Sequence, residues 1–208
     1  MFHRVLRLGV PVVCLGVLAG WGCSRTPSPI RPPAIDASAA GKLAIEQYDK
    51  DGDGLIKGPE LNKAPALKAA IENLDTNRDG AVSADEITAR VKAWQKSNVG
   101  KTSLSCTVTY RGGPLQGATV KFVPEKFLGD EIQTATGETD QSGVAVLSVP
   151  LDPDRPDDVS GVHYGLYRVE ITKQGTNIPA KYNTQTILGQ EVADDCPQIR
   201  RGIKFQLK

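Results

Sequence analysis

Two acidic twelve-residue segments constrain this 208-residue chain more than any other feature of its sequence. The first, loop one, runs from Asp49 to Glu60, and the second, loop two, runs from Asp75 to Glu86. Both fit the spacing D-x-[DN]-x-[DN]-G-x5-E without a gap. Their first residues are 75 − 49 = 26 positions apart. The repeat predicts two small coiled loops that hold the same kind of group in the same way.

The spacing suits Ca²⁺, a hard cation that takes about six to eight oxygen ligands. Side chains at loop positions 1, 3 and 5, a backbone carbonyl at position 7 and a carboxylate at position 12 supply these oxygens. Glycine at position 6 allows the sharp turn, and it is Gly54 in loop one and Gly80 in loop two. The predicted ligands are Asp49, Asp51, Asp53, Leu55 and Glu60 in loop one, and Asp75, Asn77, Asp79, Ala81 and Glu86 in loop two.

These segments resemble the EF-hand family, and the resemblance implies Ca²⁺ as the cofactor. Position 8 is apolar in both loops, with Ile56 in one and Val82 in the other. In the family these two residues form a short two-stranded bridge, so a coupled pair is expected. Apolar residues at helical spacing predict flanking helices over 38–48, 66–74 and 84–97, with Ser38 as a possible N-cap.

The short distance between the loops leaves a second interpretation open. Only residues 61–74 separate them and Pro65 interrupts this stretch, so the first exit helix is expected to be about one turn long. Dockerin modules also have closely spaced calcium loops, but they often end the loop in Asp. Because both loops here end in Glu, a compact EF-hand pair is favoured over a dockerin.

The N-terminus has the layout of an export signal. Residues 1–7 contain two arginines, and residues 8–21 then run without a charge. The segment Leu18–Cys23 resembles a bacterial lipobox, which implies that Cys23 becomes the lipid-modified first residue of the mature protein. An uncleaved signal anchor and cleavage by ordinary signal peptidase are the alternatives. A proline-rich stretch follows, and its composition predicts an extended tether that holds the folded part away from the membrane.

Beyond Gly100 the apolar pattern changes to the alternation of β-strands, as in 104–110, 118–122, 167–171 and 203–207. Three segments of this half resemble the carboxypeptidase regulatory-like, or transthyretin-like, domain: TVTYRGGPLQGATVKFVP, TGETDQSGVAVLSV and YGLYRVEITK. That resemblance implies a seven-stranded β-sandwich without catalysis. The expected fold class is α+β multidomain, a small α-helical EF-hand pair followed by an antiparallel β-sandwich. The expected domains are a signal peptide at 1–22, a linker at 23–36, the EF-hand pair at 37–98 and the sandwich at 101–208.

The four cysteines form no CxxC pair, which argues against zinc. Cys106 is predicted on the inward face of the first sandwich strand, and Cys196 precedes the last strand. In an oxidising compartment a disulfide between them is expected, and two buried free thiols are the alternative.

The net charge of the chain and its lack of catalytic motifs argue against two classes of function. A net charge of +1 gives no case for nucleic acid as a partner. The chain has no nucleophile elbow, HExxH or phosphate loop, so we do not expect an enzyme. The expected function is calcium binding by a lipid-anchored protein at the membrane surface or in the periplasm. The alternative is a calcium-dependent adhesion or assembly module whose protein or glycan partner the sequence does not name.

Overall fold

The computed structural model describes residues 31–155 and 158–208. The predicted signal segment, Cys23 and most of the proline-rich stretch lie outside these residues. Among the helices of the described ranges, none combines the length and the apolar character that crossing a membrane requires.

The first half of the described chain is mainly helical. Its elements are α1 (Ala37–Tyr48), β1 (Leu55–Lys57), α2 (Pro65–Ala69), α3 (Ile71–Leu74), β2 (Ala81–Ser83) and α4 (Ala84–Ser97). The N-cap of α1 is Asp36 rather than the predicted Ser38, because the Asp36 carboxylate accepts a hydrogen bond from the Ala39 N–H at 2.9 Å. The helix expected over 66–74 is split at Ala70 into α2 and α3. After loop one the chain forms a single 3₁₀ turn, Leu61–Lys63.

The second half is built from two β-sheets. Its elements are β3 (Leu104–Tyr110), β4 (Gly113–Pro114), β5 (Thr119–Pro124), β6 (Ala135–Glu138), β7 (Val144–Leu147), β8 (Gly165–Thr172), β9 (Leu188–Val192), α5 (Pro197–Arg201) and β10 (Ile203–Leu207). In one sheet β3 pairs with β10, β4 and β7, and the order of the other is β6-β5-β8-β9. The α+β fold class is therefore confirmed.

One strand departs from the expected antiparallel arrangement. Strand β10 runs parallel to β3, with Ile203 beside Cys106 and Leu207 beside Tyr110. The reason is topological, because α5 brings the chain to the Cys106 end of β3 before β10 begins. Among the described residues of the second half there are eight strands, one of only two residues, where the family resemblance implies seven.

The core of this half lies between the two sheets. Phe122 of β5 contacts Phe205 of β10 in the opposite sheet, with ring centroids 6.2 Å apart and an angle of 66° between the ring planes. Within its own sheet Phe122 packs on Tyr167 of β8 at 5.8 Å. The alternating buried positions of β3, β5 and β10 all contribute to this core, so the period-two pattern predicted its inner face.

The helical half packs directly on the second sheet. Gly189 of β9 lies so close to α2 that a Cβ atom built on it would be 1.9 Å from the Pro65 carbonyl oxygen. Buried residues of both halves form one continuous hydrophobic cluster. Only glycine allows this approach, so position 189 fixes how near α2 lies to the sheet.

A buried carboxylate adds polar contacts at the same junction. The Glu191 side chain is 2% exposed. It accepts hydrogen bonds from Asn73 Nδ2 at 2.7 Å, Arg90 Nε at 2.5 Å and Trp94 Nε1 at 3.1 Å. Arg90 also makes a two-pronged ion pair with Asp195, with both N–O distances 2.7 Å. Helices α3 and α4 are therefore joined to the region around β9 by charge as well as by packing.

The disulfide expected between Cys106 and Cys196 is not formed, and the expectation is corrected: both residues are buried free thiols. Cys106 lies within β3, whereas the Sγ atom of Cys196 contacts Asn73 Nδ2 at 3.5 Å in the junction with the helices. The two side chains belong to different parts of the core. Burial raises the pKa of each thiol to about 12, so neither is a ready nucleophile.

A second buried acid, Glu125, lies where α1 meets the sandwich. Its Oε2 atom accepts a hydrogen bond from the Tyr48 hydroxyl at 2.8 Å. Among the described residues its Oε1 atom has no hydrogen-bond partner. Burial raises the pKa of Glu125, although the Tyr48 hydrogen bond and the charge of Arg168 oppose the rise.

We expect Glu125→Gln to stabilise the protein at neutral pH. Because the folded pKa is raised, the contribution of Glu125 to stability is fully present below its unfolded pKa of about 4.3 and is lost as pH rises through the folded pKa. Glutamine keeps an oxygen for Tyr48 and carries no charge. The gain in urea midpoint over wild type should therefore grow from pH 4 to pH 8. An equal gain in the exposed variant Glu138→Gln, or no pH dependence, would contradict this account.

Candidate metal centre

The two predicted loops lie side by side because β1 and β2 pair between them. The strands are antiparallel, with Ile56 opposite Val82. Both side chains are fully buried. This is the bridge that the apolar residues at position 8 predict, and it orients the two loops as one unit.

In loop one the acidic side chains converge on a common point. One carboxylate oxygen from each of Asp49, Asp51 and Asp53 lies within 4.8 Å of the others. The backbone holds them there: Asp49 accepts hydrogen bonds from the N–H groups of Gly52 at 2.7 Å and Gly54 at 2.8 Å. Gly54 has φ +83°, a left-handed conformation that a side chain would strain. The coil therefore presents three carboxylates to one point.

Glu60 closes loop one by joining its end to its start. Its Oε1 atom accepts a hydrogen bond from the Lys50 N–H at 2.6 Å, and its Oε2 atom accepts one from the Lys57 N–H at 3.2 Å. These two backbone bonds lower the pKa of Glu60. Lys57 also forms an ion pair with Asp53, which lowers the pKa of that carboxyl. Both shifts favour the ionised form of Asp53 and Glu60, which is the form that binds a divalent cation.

Loop two has a similar, though not identical, pattern of bonds. Asp75 accepts hydrogen bonds from the N–H groups of Asp79 at 3.1 Å and Gly80 at 2.8 Å. Asn77 accepts from the Asp79 N–H at 3.0 Å and donates its amide N–H to the Asp79 carboxylate at 2.9 Å. The turn at Gly80 has φ +79°. The backbone of the second loop therefore coils as the first does, with one carboxylate replaced by an amide.

Glu86 closes loop two and also caps the following helix. Its Oε1 atom accepts from the Thr76 N–H at 3.0 Å, and its Oε2 atom accepts from the Ser83 N–H at 2.9 Å. Ser83 accepts the Glu86 N–H in return, which completes a capping box at the start of α4. Partial burial opposes ionisation of Glu86, but the bonds from Ser83 and Thr76 outweigh it and hold the pKa below its usual value.

The structure thus brings three predicted ligands of loop one, Asp49, Asp51 and Asp53, within reach of a single ion. The other predicted side-chain ligands, Glu60, Asp75, Asn77, Asp79 and Glu86, bind the backbone or a neighbouring side chain of their own loop. Sequence reasoning missed the capping role of Ser83. The signal was present, since Ser83 and Glu86 have the S-x-x-E spacing of a capping box. The ion pair between Lys57 and Asp53 was also missed, and Ca²⁺ entering loop one would compete with it.

Comparison with protein-family models supports the assignment of the second loop as an EF-hand loop. A family model described as EF hand matches residues 67–91, which contain the whole of loop two and parts of both flanking helices. No curated protein matches the chain, and no solved structure matches it. The match indicates calcium binding at loop two. The case for loop one depends on the acidic cluster and on its likeness to loop two.

Proposed function

We propose that this is an exported, lipid-anchored, non-enzymatic protein that binds two calcium ions through its paired EF-hand loops. The observation that carries the proposal is the repeated bond pattern. In both loops the first aspartate binds the position 6 N–H and the last glutamate binds the position 2 N–H. In loop one these bonds accompany a cluster of three carboxylates whose oxygens lie within 4.8 Å of one another.

The chemistry of these oxygens favours calcium. Every predicted ligand is a carboxylate, an amide or a backbone carbonyl, and such hard oxygen donors suit Ca²⁺ rather than zinc or copper. Loop one offers four carboxylates, Asp49, Asp51, Asp53 and Glu60, whereas loop two offers three, Asp75, Asp79 and Glu86. We expect loop one to be the tighter site, although Lys57 offsets part of the difference.

The remaining parts of the proposal come from the sequence. The basic start, the apolar run and Cys23 support export with lipid attachment, and the proline-rich stretch would hold the folded part away from the membrane. The resemblance of the second half to the carboxypeptidase regulatory-like domain supports a structural or adhesive role for the sandwich. The absence of a catalytic motif in the sequence supports a protein without enzymatic activity.

Calorimetric titration of the purified protein tests the proposal. Two Ca²⁺ per chain are expected, with weaker binding of Mg²⁺ because Mg²⁺ gives up its waters reluctantly. Mass spectrometry of the mature N-terminus should find a diacylglycerol group on Cys23. No heat in millimolar Ca²⁺ would overturn the calcium assignment, whereas an unmodified Cys23 would overturn only the lipid anchor.

A further inference from the structure

A cavity of about 900 Å³ opens between the helical half and the sandwich, apart from the calcium-binding oxygens. One wall consists of the end of α1 and the 3₁₀ turn after loop one, and includes Gln47, Asn62 and Lys63. The other wall belongs to the sandwich and includes Arg168 on β8. Its volume falls in the range of about 300–1,000 Å³ that is usual for small-molecule sites.

The charge of the cavity lining is entirely positive. Its charged residues are Lys63, Lys126, Arg168 and Lys181. No Asp or Glu is among the described residues that line it. Within the described ranges, none of these four cations belongs to an ion pair. Lys181 instead lies 5.0 Å from the ring centroid of its neighbour Tyr182. Four like charges around one cavity repel one another unless a bound anion compensates them.

The nearest buried acid does not provide that compensation. Glu125 interacts electrostatically with Arg168, but its side chain is fully buried and does not line the cavity. Burial also favours its neutral form. The positive charge of Arg168 is thus left for a partner that enters from solvent.

Neutral hydrogen-bonding groups complete the lining. The side-chain amides of Gln47, Asn62 and Gln185 line the cavity, as does Thr184. Asn62 uses its carbonyl oxygen to accept a hydrogen bond from Lys68 Nζ at 2.7 Å, which leaves its amide N–H groups for another acceptor. Amide donors beside lysine and arginine are the groups that bind phosphoryl and sulfuryl oxygens.

We propose that this cavity, the basic junction pocket, binds a sugar-sized ligand that carries several phosphate or sulfate ester groups. Lysine ammonium groups act as point charges, and the planar guanidinium of Arg168 can donate two parallel hydrogen bonds to one oxyanion. The ligand would touch both halves of the molecule. The site makes no use of the calcium ligands, so its test is independent of the calcium assignment.

The test uses the full chain in calcium-free buffer with two probes, sucrose octasulfate and inositol hexakisphosphate. Binding is measured by calorimetry at low and high salt. We expect micromolar binding that weakens at least about tenfold between 0.05 and 0.5 M NaCl. The double variant Lys63→Gln plus Lys126→Gln should weaken it by about tenfold or more, since two charged hydrogen-bond donors are lost. Both residues are exposed, so the variant should keep its thermal melting temperature.

A matched control distinguishes a built site from general attraction. Lys92→Gln plus Lys96→Gln removes the same charge from the exposed side of α4 and should leave both affinities unchanged. If one probe binds more tightly, the pocket prefers the ester type of that probe, sulfate or phosphate. Similar binding of both probes supports recognition of the oxyanion chemistry that they share. An equal loss of probe affinity in the control and pocket variants, or no binding of either probe to the wild type, overturns the proposal.

Discussion

Replacing Glu86 by Gln should weaken calcium binding at loop two by roughly 10–100-fold, the loss expected when an interaction with a charged group is removed. The substitution keeps the shape of the side chain and removes the charge at position 12. Glutamine also supports a capping box, so α4 should begin where it does in the wild type. The calorimetric stoichiometry at submillimolar calcium should fall from two ions to one, with the helical circular dichroism signal unchanged.

Glu60→Gln gives the matching result for loop one, where position 12 has no capping role. Comparing the two single variants shows which loop is tighter, because each leaves the other loop intact. Asp85→Asn is the control, since Asp85 is exposed beside Glu86 and carries the same charge without closing a loop. A loss of calcium in the Asp85 variant as large as that in the Glu86 variant would mean that overall charge, and not ligation, governs binding.

Gly189→Ala should destabilise the protein by about 3 kcal/mol, the upper end of the usual cost of overpacking. The new methyl group would be 1.9 Å from the oxygen and 2.2 Å from the carbon of the Pro65 carbonyl. Both are backbone atoms, so either α2 or β9 has to move. Urea unfolding followed by Trp94 fluorescence measures the loss, since Trp94 is buried at this junction and donates a hydrogen bond to Glu191.

Gly113→Ala is the matched control for this experiment. Gly113 lies in β4 with a negative φ, and a Cβ built on it meets no atom within 4 Å. Its effect on the unfolding midpoint should therefore be small. Equal stability of Gly189→Ala and wild type would show that α2 is free to move away from the sheet, contrary to the close contact at Pro65.

The sequence predicted the parts of the molecule that depend on short-range spacing. The two loops, their bridge and the alternating strands β3, β5, β8 and β10 follow from motifs and from period-two patterns. Strand β9 was not predicted, because its residues LGQEV do not alternate. Glu191 is buried there against Asn73 and Trp94, which lie far away in the sequence, and no local sequence pattern predicts such burial.

The lack of a local sequence pattern also explains the other differences between the predicted and the observed structure. A bond between Cys106 and Cys196 was expected in an oxidising compartment, with Cys106 facing inward on the first strand and Cys196 just before the last. Only the folded chain shows that the Cys196 thiol contacts a helix residue, Asn73. The basic junction pocket draws its cations from positions 63, 126, 168 and 181, which form no cluster in the sequence. A motif search finds residues that act through their spacing, whereas this pocket exists only through tertiary packing.

The parallel pairing of β10 with β3 means that one edge of β3 can be paired only after the chain between the two strands has been made. Every element of the two calcium loops has been synthesised once residue 97 is added, and the pairing of the two loops is local in sequence. Strand β3 instead waits for residues 203–207, almost a hundred positions later, before its second edge is paired. Contacts so distant in sequence form slowly, and an unpaired edge invites association with other chains. The two calcium loops can thus fold early during synthesis, while one edge of β3 stays unpaired until β10 has been made.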